Sequence, residues 1–144
     1  MQVQEILRVK GNRLVSTEPS GSAAEAVKTM AGENLGSLVV MEQGRMVGVL
    51  TFHELLRALA QRGGALGDLT VGEIMVRDPV TATPDMDVDE LRRMMLQSGA
   101  RYLPVIQGAK LLGVISFRDV AKAVLEEQDF ENSMLKGYIK NWPA

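Results

Sequence analysis

Gly113-Val-Ile-Ser-Phe-Arg-Asp119 has a partner 65 residues upstream, Gly48-Val-Leu-Thr-Phe-His-Glu54, and the reading of the whole chain turns on the two together. In each, a glycine leads two apolar residues, a hydroxyl follows, and a carboxylate stands three residues beyond the hydroxyl. Outward from these stretches, residues 15–59 align with 80–124 at the same offset and without a gap. Ten of the 45 positions are identical: Val15/Val80, Pro19/Pro84, Glu25/Glu90, Met30/Met95, Leu38/Leu103, Val40/Val105, Gly48/Gly113, Val49/Val114, Phe52/Phe117 and Ala58/Ala123. Others keep their chemistry, as in Leu50/Ile115, Thr51/Ser116, Glu54/Asp119 and Arg57/Lys122. Glycine, proline, helix caps and hydrophobic phase coincide together, which identifies an internal duplication.

Each half carries one series of elements. A short β-prone piece, Leu14–Thr17 or Val80–Ala82, leads to Pro19 or Pro84. A helix-start signature follows, Ser22-Ala-Ala-Glu25 or Asp87-Val-Asp-Glu90. The helix behind it places Ala23, Ala26, Val27 and Met30, or Val88, Leu91 and Met95, on one face. Two almost continuously apolar strands come next, Ser37–Met41 with Met46–Leu50 and Tyr102–Ile106 with Leu111–Ile115. Gln43-Gly44 and Gly108-Ala109 sit at their turns, so each pair is expected to be an antiparallel hairpin. A second helix closes the half, with Phe52, Leu55, Leu56 and Leu59 on one stripe and Phe117, Val120, Ala121 and Val124 on the other. The expected fold is α/β: two β-α-β-β-α modules, each with a three-stranded sheet, packed with approximate twofold symmetry.

The expected organisation is a first module over 1–67, a second over 68–127 and a helical tail over 128–144. Gln61–Gly67, with Gly63, Gly64 and Gly67, reads as a flexible linker. Val71-Gly-Glu-Ile74-Met75 echoes Val3-Gln-Glu-Ile6-Leu7, so the duplication extends upstream with three extra residues in the first copy. Phe130, Met134 and Tyr138 form a four-residue stripe on the tail. Neither half of about 60 residues holds a comfortable core alone, so the two are expected to pack on each other.

The repeated Gly-apolar-apolar-Thr/Ser-x-x-acid stretch lies where a strand ends and a helix begins. Free N–H groups and positive dipole potential at a helix start suit a phosphate, and a carboxylate one turn on can accept from both ribose hydroxyls. The same residues, Thr51-x-x-Glu54 and Ser116-x-x-Asp119, are also what an ordinary capping box requires. A single such motif reads first as a cap; its repetition favours a nucleotide site without deciding it, since duplication copies caps too.

Composition narrows the alternatives. The 144 residues carry a net charge of −2, and the basic residues are scattered among acidic ones, which argues against nucleic-acid binding. There is no cysteine and one histidine, His53, so thiolate metal sites, cysteine nucleophiles and a His-rich metal centre are excluded. No apolar run approaches the ~20 residues of a membrane helix, and the N-terminus lacks the regions of a signal peptide. A cytoplasmic location, no membrane partner, no metal and no catalytic residue are expected.

The order of motifs resembles the CBS-domain (cystathionine β-synthase domain) pair, also called a Bateman module, of the stand-alone bacterial type. The resemblance is carried by Glu73-Ile-Met75, Asp78-Pro-Val-Thr-Ala-Thr-Pro84, Arg101-Tyr-Leu-Pro-Val105 and Gly113–Asp119. Weaker versions stand at Leu35-Gly-Ser-Leu-Val-Val-Met41 and Gly48–Glu54, and Leu135-Lys-Gly-Tyr-Ile139 is similar to the tails of such proteins. The resemblance implies two clefts for AMP, ADP or ATP, or for NADH or S-adenosylmethionine, as a regulatory ligand. It implies that Asp119 holds the ribose, Ser116 the phosphate, and that Thr81 and Ala82 backbone with Leu103 and Pro104 frame the adenine. Arg118 and Arg101 are the implied phosphate partners, and Tyr102 stands where many relatives have His. Ser16, Thr51 and Glu54 hold the matching places in the first half, where Glu54 replaces the usual Asp and His53 the usual Arg.

Three functions are thus in contention: a nucleotide-sensing regulator acting on an unidentified effector protein, a ligand-free dimerisation protein, and an enzyme. Nothing resembles a phosphate loop or an activated nucleophile, which disfavours the third. A homodimer is expected, with the Ser116 cleft the stronger of two unequal sites.

Overall fold

The computed structural model describes residues 1–11 and 13–140, the last three by their backbone alone. Helix α1 (Val3–Lys10) precedes β1 (Ser16–Thr17), α2 (Ala23–Glu33), β2 (Ser37–Glu42), β3 (Arg45–Thr51) and α3 (Phe52–Gln61). The second half runs α4 (Val71–Ile74), β4 (Val76–Arg77), α5 (Val88–Ser98), β5 (Tyr102–Gln107), β6 (Lys110–Ser116) and α6 (Phe117–Lys140). The duplication holds at the level of single residues. The β2–β3 register shifts between Val40 and Met41 and the β5–β6 register between Val105 and Ile106, 65 positions on. Gln43 and Gly44 both take positive φ, 52° and 77°, the backbone of a tight hairpin turn matched to strand twist. In the second hairpin only Gly108 does, at 62°.

Two cores result, and each borrows a helix from the other half of the sequence. Val3, Ile6 and Leu7 of α1 are buried with Val88, Leu91, Met95, Leu103 and Ile115. Val71 and Met75, at α4 and just past it, are buried with Ala26, Met30, Leu38 and Leu50. The dockings are made by equivalent backbone bonds. Val3 N–H donates to Met86 O and Gln4 N–H to Pro84 O, while Val88 N–H donates to Met1 O. In the other half Val71 N–H donates to Gly21 O, Gly72 N–H to Pro19 O, and Ala23 N–H to Leu69 O. The first N–H groups of a helix have no partner within it, so carbonyls of the opposite half satisfy them. The sequence repeats are therefore not the packing units: residues 1–10 lie on the second core, and Leu66 to Met75 on the first.

Three expectations need correction. The sheets are not both three-stranded: one has the order β1-β2-β3-β4, and the other pairs β5 with β6 alone, extended by a parallel bridge from Ala82 to Val105. The reason lies upstream. After α4 the chain turns extended and β4 pairs with β3 at Gly48 and Val49, whereas in the first copy α1 continues as helix through Lys10, leaving no strand for β6. Gly48 makes the β4 pairing possible, because a Cβ there would lie 2.6 Å from the Val76 carbonyl oxygen. The linker is also pinned rather than free-standing, since Leu66 and Leu69 are buried in the first core. Finally, over the described residues the tail is not a separate element: α6 is one helix of 24 residues, Phe117–Lys140. Phe130 and Met134 on it are 67% and 63% exposed, and the Tyr138 side chain lies outside the described residues. No helix among the described residues is long and apolar enough to cross a membrane.

Candidate functional site

Both repeated motifs form the helix starts expected of them. Thr51 Oγ1 accepts from His53 N–H at 3.2 Å, and Glu54 Oε1 accepts from Thr51 N–H and from the Thr51 hydroxyl, each at 2.8 Å. Ser116 Oγ accepts from Asp119 N–H at 3.1 Å, and Asp119 Oδ2 accepts from Ser116 N–H at 2.8 Å. Each carboxylate thus spends one oxygen on its own helix, as a capping box does. The other oxygen has no hydrogen-bond partner among the described residues.

Asp119 has an additional partner that Glu54 lacks. Lys10, the last residue of α1, places its Nζ 2.6 Å from Asp119 Oδ2 and 2.7 Å from the Val114 carbonyl oxygen. Burial by itself would raise the Asp119 carboxyl. The Lys10 ammonium and the Ser116 N–H and hydroxyl outweigh it and hold the group below the ordinary value.

Two clefts flank these helix starts, and both are built across the halves. The cleft beside Ser116, of about 550 Å³, is walled by Ser116, Phe117 and Arg118 from the second half and by Lys10, Arg13–Val15 and Asn34–Ser37 from the first. The cleft beside Thr51, of about 440 Å³, joins Thr51–Glu54 to Pro79, Val80 and Ser98–Tyr102 of the second half. Phe52, Arg101 and Tyr102 line both and form the partition between them. Phe52 and Tyr102 meet edge to face with centroids 6.4 Å apart, and the Arg101 guanidinium lies 5.6 Å from the Phe52 ring centre. The Tyr102 hydroxyl occupies the space a side chain at position 36 would need, so Gly36 is what lets the partition close. Burial raises the Tyr102 hydroxyl above its ordinary value of 10.0, against the pull of Arg101.

The structure regroups the residues singled out from sequence. Ser116, Arg118 and Arg101 come together in one cleft, and Thr51 and Glu54 line the other. Asp119 does not line the first cleft, but Lys10, which does, is bound to it. Thr81, Ala82, Leu103 and Pro104 do not frame the Ser116 cleft. Leu103 and Pro104 are buried within β5 and Ala82 is buried at the edge of the same sheet, with both backbone groups of Ala82 spent on bonds to Pro104 and Ile106. Ser16 lies on β1 and lines neither cleft, whose wall is made by Leu14 and Val15 instead. Each helix start meets segments of the other half, residues 13–15 and 34–37 at Ser116 and residues 79–80 and 98–102 at Thr51. Lys10 and Arg13 went unnoticed in sequence because they precede the aligned repeat and have no counterpart by which to find them.

The CBS domain family matches residues 5–61 and 71–126. The chain is 35% identical over 124 residues to a 17.7 kDa protein of Acidianus ambivalens, covering 85% of this chain and 74% of that one. The crystal structure of the CBS-domain containing protein ATU1752 from Agrobacterium tumefaciens superposes with a TM-score of 0.82 at 31% identity, covering 85% of this chain and 98% of that chain. The CBS domain pair of protein MJ0100, solved in complex with 5-methylthioadenosine and S-adenosyl-L-methionine, superposes at 0.78 with 25% identity, covering 88% and 98%. With its duplicated motifs, its reciprocally docked helices and two matches to one family, the chain belongs to the CBS-domain proteins as a tandem pair.

Proposed function

We propose that the two clefts bind adenine nucleotides, AMP, ADP or ATP, and that the chain is a regulatory module without catalytic activity of its own. The observation that carries this reading is the construction of each cleft. The Thr51 cleft sets a hydroxyl and a carboxylate with one uncommitted oxygen at a helix start facing Pro79, Val80 and Tyr102 of the other half, and the Ser116 cleft sets a hydroxyl at a helix start among cationic side chains beside Phe52 and Tyr102. That arrangement offers anion, diol and base-face recognition in one place. The adenosyl ligands of the MJ0100 pair support the same ligand class. Occupancy would be reported to an effector protein, since a ligand bridging two halves changes how firmly they are held together.

The competing reading, a ligand-free interaction protein, draws on the closed capping boxes and on Lys10 already bound to Asp119. A thermal-shift series with AMP, ADP, ATP and S-adenosylmethionine separates the two. A ligand at 100 times its Kd adds about 2.7 kcal/mol, a rise in Tm on the order of 5–10 °C. No shift with any of them leaves the ligand-free reading.

We also propose a homodimer. Leu56 on α3, Leu96 on α5 and Leu125 on α6 are 59%, 65% and 59% exposed, an apolar display that one chain leaves uncovered. Light scattering at micromolar concentration is expected to give twice the chain mass of 15.7 kDa, and a monomeric mass would refute pairing.

A further inference from the structure

We infer that the Ser116 cleft selects a nucleoside polyphosphate over a monophosphate or S-adenosylmethionine, with Lys10 as the residue that sets the preference. This rests on the nucleotide reading above and names which member of the class the site takes.

The lining of that cleft contains four cationic side chains, Lys10, Arg13, Arg101 and Arg118, and no carboxylate. The Thr51 cleft sets Arg101 against Glu54, with His53 beside them. Two clefts related by duplication therefore differ in charge. The difference comes from Arg118, which replaces His53, from Lys10 and Arg13, which lie outside the aligned repeat, and from Glu54, which lines its cleft while Asp119 does not.

The four cations are not equally committed. Arg13 pairs with Glu33, and Lys10 with Asp119, neither acid lining the cleft. Arg101 lies over Phe52, and neither it nor Arg118 has a carboxylate partner among the described residues. A monophosphate carries about two negative charges, which Arg101 and Arg118 match. Further phosphates need further donors, and Lys10 is placed to supply them.

Because Lys10 lines the cleft and Asp119 does not, a ribose approaching the carboxylate from the cleft meets the Lys10 ammonium first and has to move it aside. The displaced ammonium stays at the cleft wall, held by a flexible stem that lets its three donors re-aim. A di- or triphosphate gives it a new anion. A monophosphate does not, so for such a ligand Lys10 acts as an internal competitor for Asp119. S-adenosylmethionine carries a sulfonium and an ammonium against a single carboxylate, and its net positive charge disfavours it at a wall of four cations.

Calorimetry on the full chain at fixed ionic strength tests this with ATP, AMP, S-adenosylmethionine and inorganic tripolyphosphate. The wild type is expected to bind ATP at least about tenfold more tightly than AMP, the scale of one charge-assisted bond to phosphate. Lys10→Met, which keeps the apolar stem, should shrink that ratio severalfold by weakening ATP and tightening AMP, and Lys10→Arg should restore it. Tripolyphosphate should bind the wild type and weaken in Lys10→Met. Equal affinity for ATP and AMP, or a ratio that Lys10→Met leaves unchanged, overturns the inference while the nucleotide reading stands. Tripolyphosphate binding through Lys10 with no adenine nucleotide bound overturns the nucleotide reading and keeps the polyphosphate preference. Binding of neither defeats both.

Discussion

Leu7→Ala should destabilise the protein by about 3 kcal/mol, and the damage should appear in the second half of the sequence rather than the first. Leu7 is 8% exposed and packs in the core of Leu91, Leu103 and Ile115. Its Cδ2 lies 2.8 Å from where a Cβ on Gly113 would stand, so it fills the notch that this glycine leaves in β6. Removing three carbons there opens a void bounded by backbone on one side, which cannot collapse inward easily. Hydrogen exchange should speed up in β5 and β6, residues 102–116, and stay slow in β2 and β3, residues 37–51. Met75→Ala is the mirror experiment, since Met75 is 8% exposed in the first core and its sulfur meets the corresponding notch at Gly48. Faster exchange in β2 and β3 after Leu7→Ala would show that α1 does not belong to the second core in solution.

Asp119→Ala is expected to weaken nucleotide binding by about 10- to 100-fold, whereas Glu54→Ala should cost far less affinity. A carboxylate accepting from two ribose hydroxyls makes two charge-assisted bonds, each worth about 1.5–3 kcal/mol before the loss of its present partners. For Asp119 those partners are the Ser116 N–H and Lys10, and the Lys10 side chain, 39% exposed, is solvated once released. The gain therefore exceeds the loss when the ligand also supplies phosphates to Lys10. Glu54 lines its cleft directly, but its Oε1 is held by two bonds from Thr51 and no cation stands ready to join a ligand there except the shared Arg101. Glu54→Ala should chiefly cost the start of α3, about 1 kcal/mol in a denaturation curve. Calorimetry with ATP on the two variants decides the matter, and equal losses of affinity would refute the asymmetry.

The two variants depend on each other through Arg101 and the aromatic partition. Because Phe52, Arg101 and Tyr102 face both clefts, a ligand that draws Arg101 to one side takes it from the other. The halves of the duplication thus share one cation where the sequence, read half by half, assigns it to a single site.

The sequence alone determined the duplication, the order of elements, both hairpins and the two helix starts with their hydroxyl and carboxylate. These are local matters. Ser22 caps α2 through its hydroxyl, Gln43-Gly44 takes the left-handed backbone of its turn, and Leu38, Val39 and Val40 are apolar in succession because β2 is covered on both faces. Periodicity reports which face of an element avoids water, and it did so for Leu55 and Val120 but not for Leu56 and Phe117 of the same stripes, which are 59% and 44% exposed. What it does not report is the partner. Val3, Ile6 and Leu7 would satisfy either apolar core, and only the packed structure sends them to the second, with Val71 and Met75 going to the first. The same non-local choice gave one sheet four strands and the other two, and put the wall of each cleft on the opposite half. It also brought Lys10 against Asp119 across 109 residues of chain. Hydrophobic burial is non-directional, so a sequence pattern fixes how much surface must be covered, while sterics and the orphaned N–H groups at the starts of α1 and α4 decide by what.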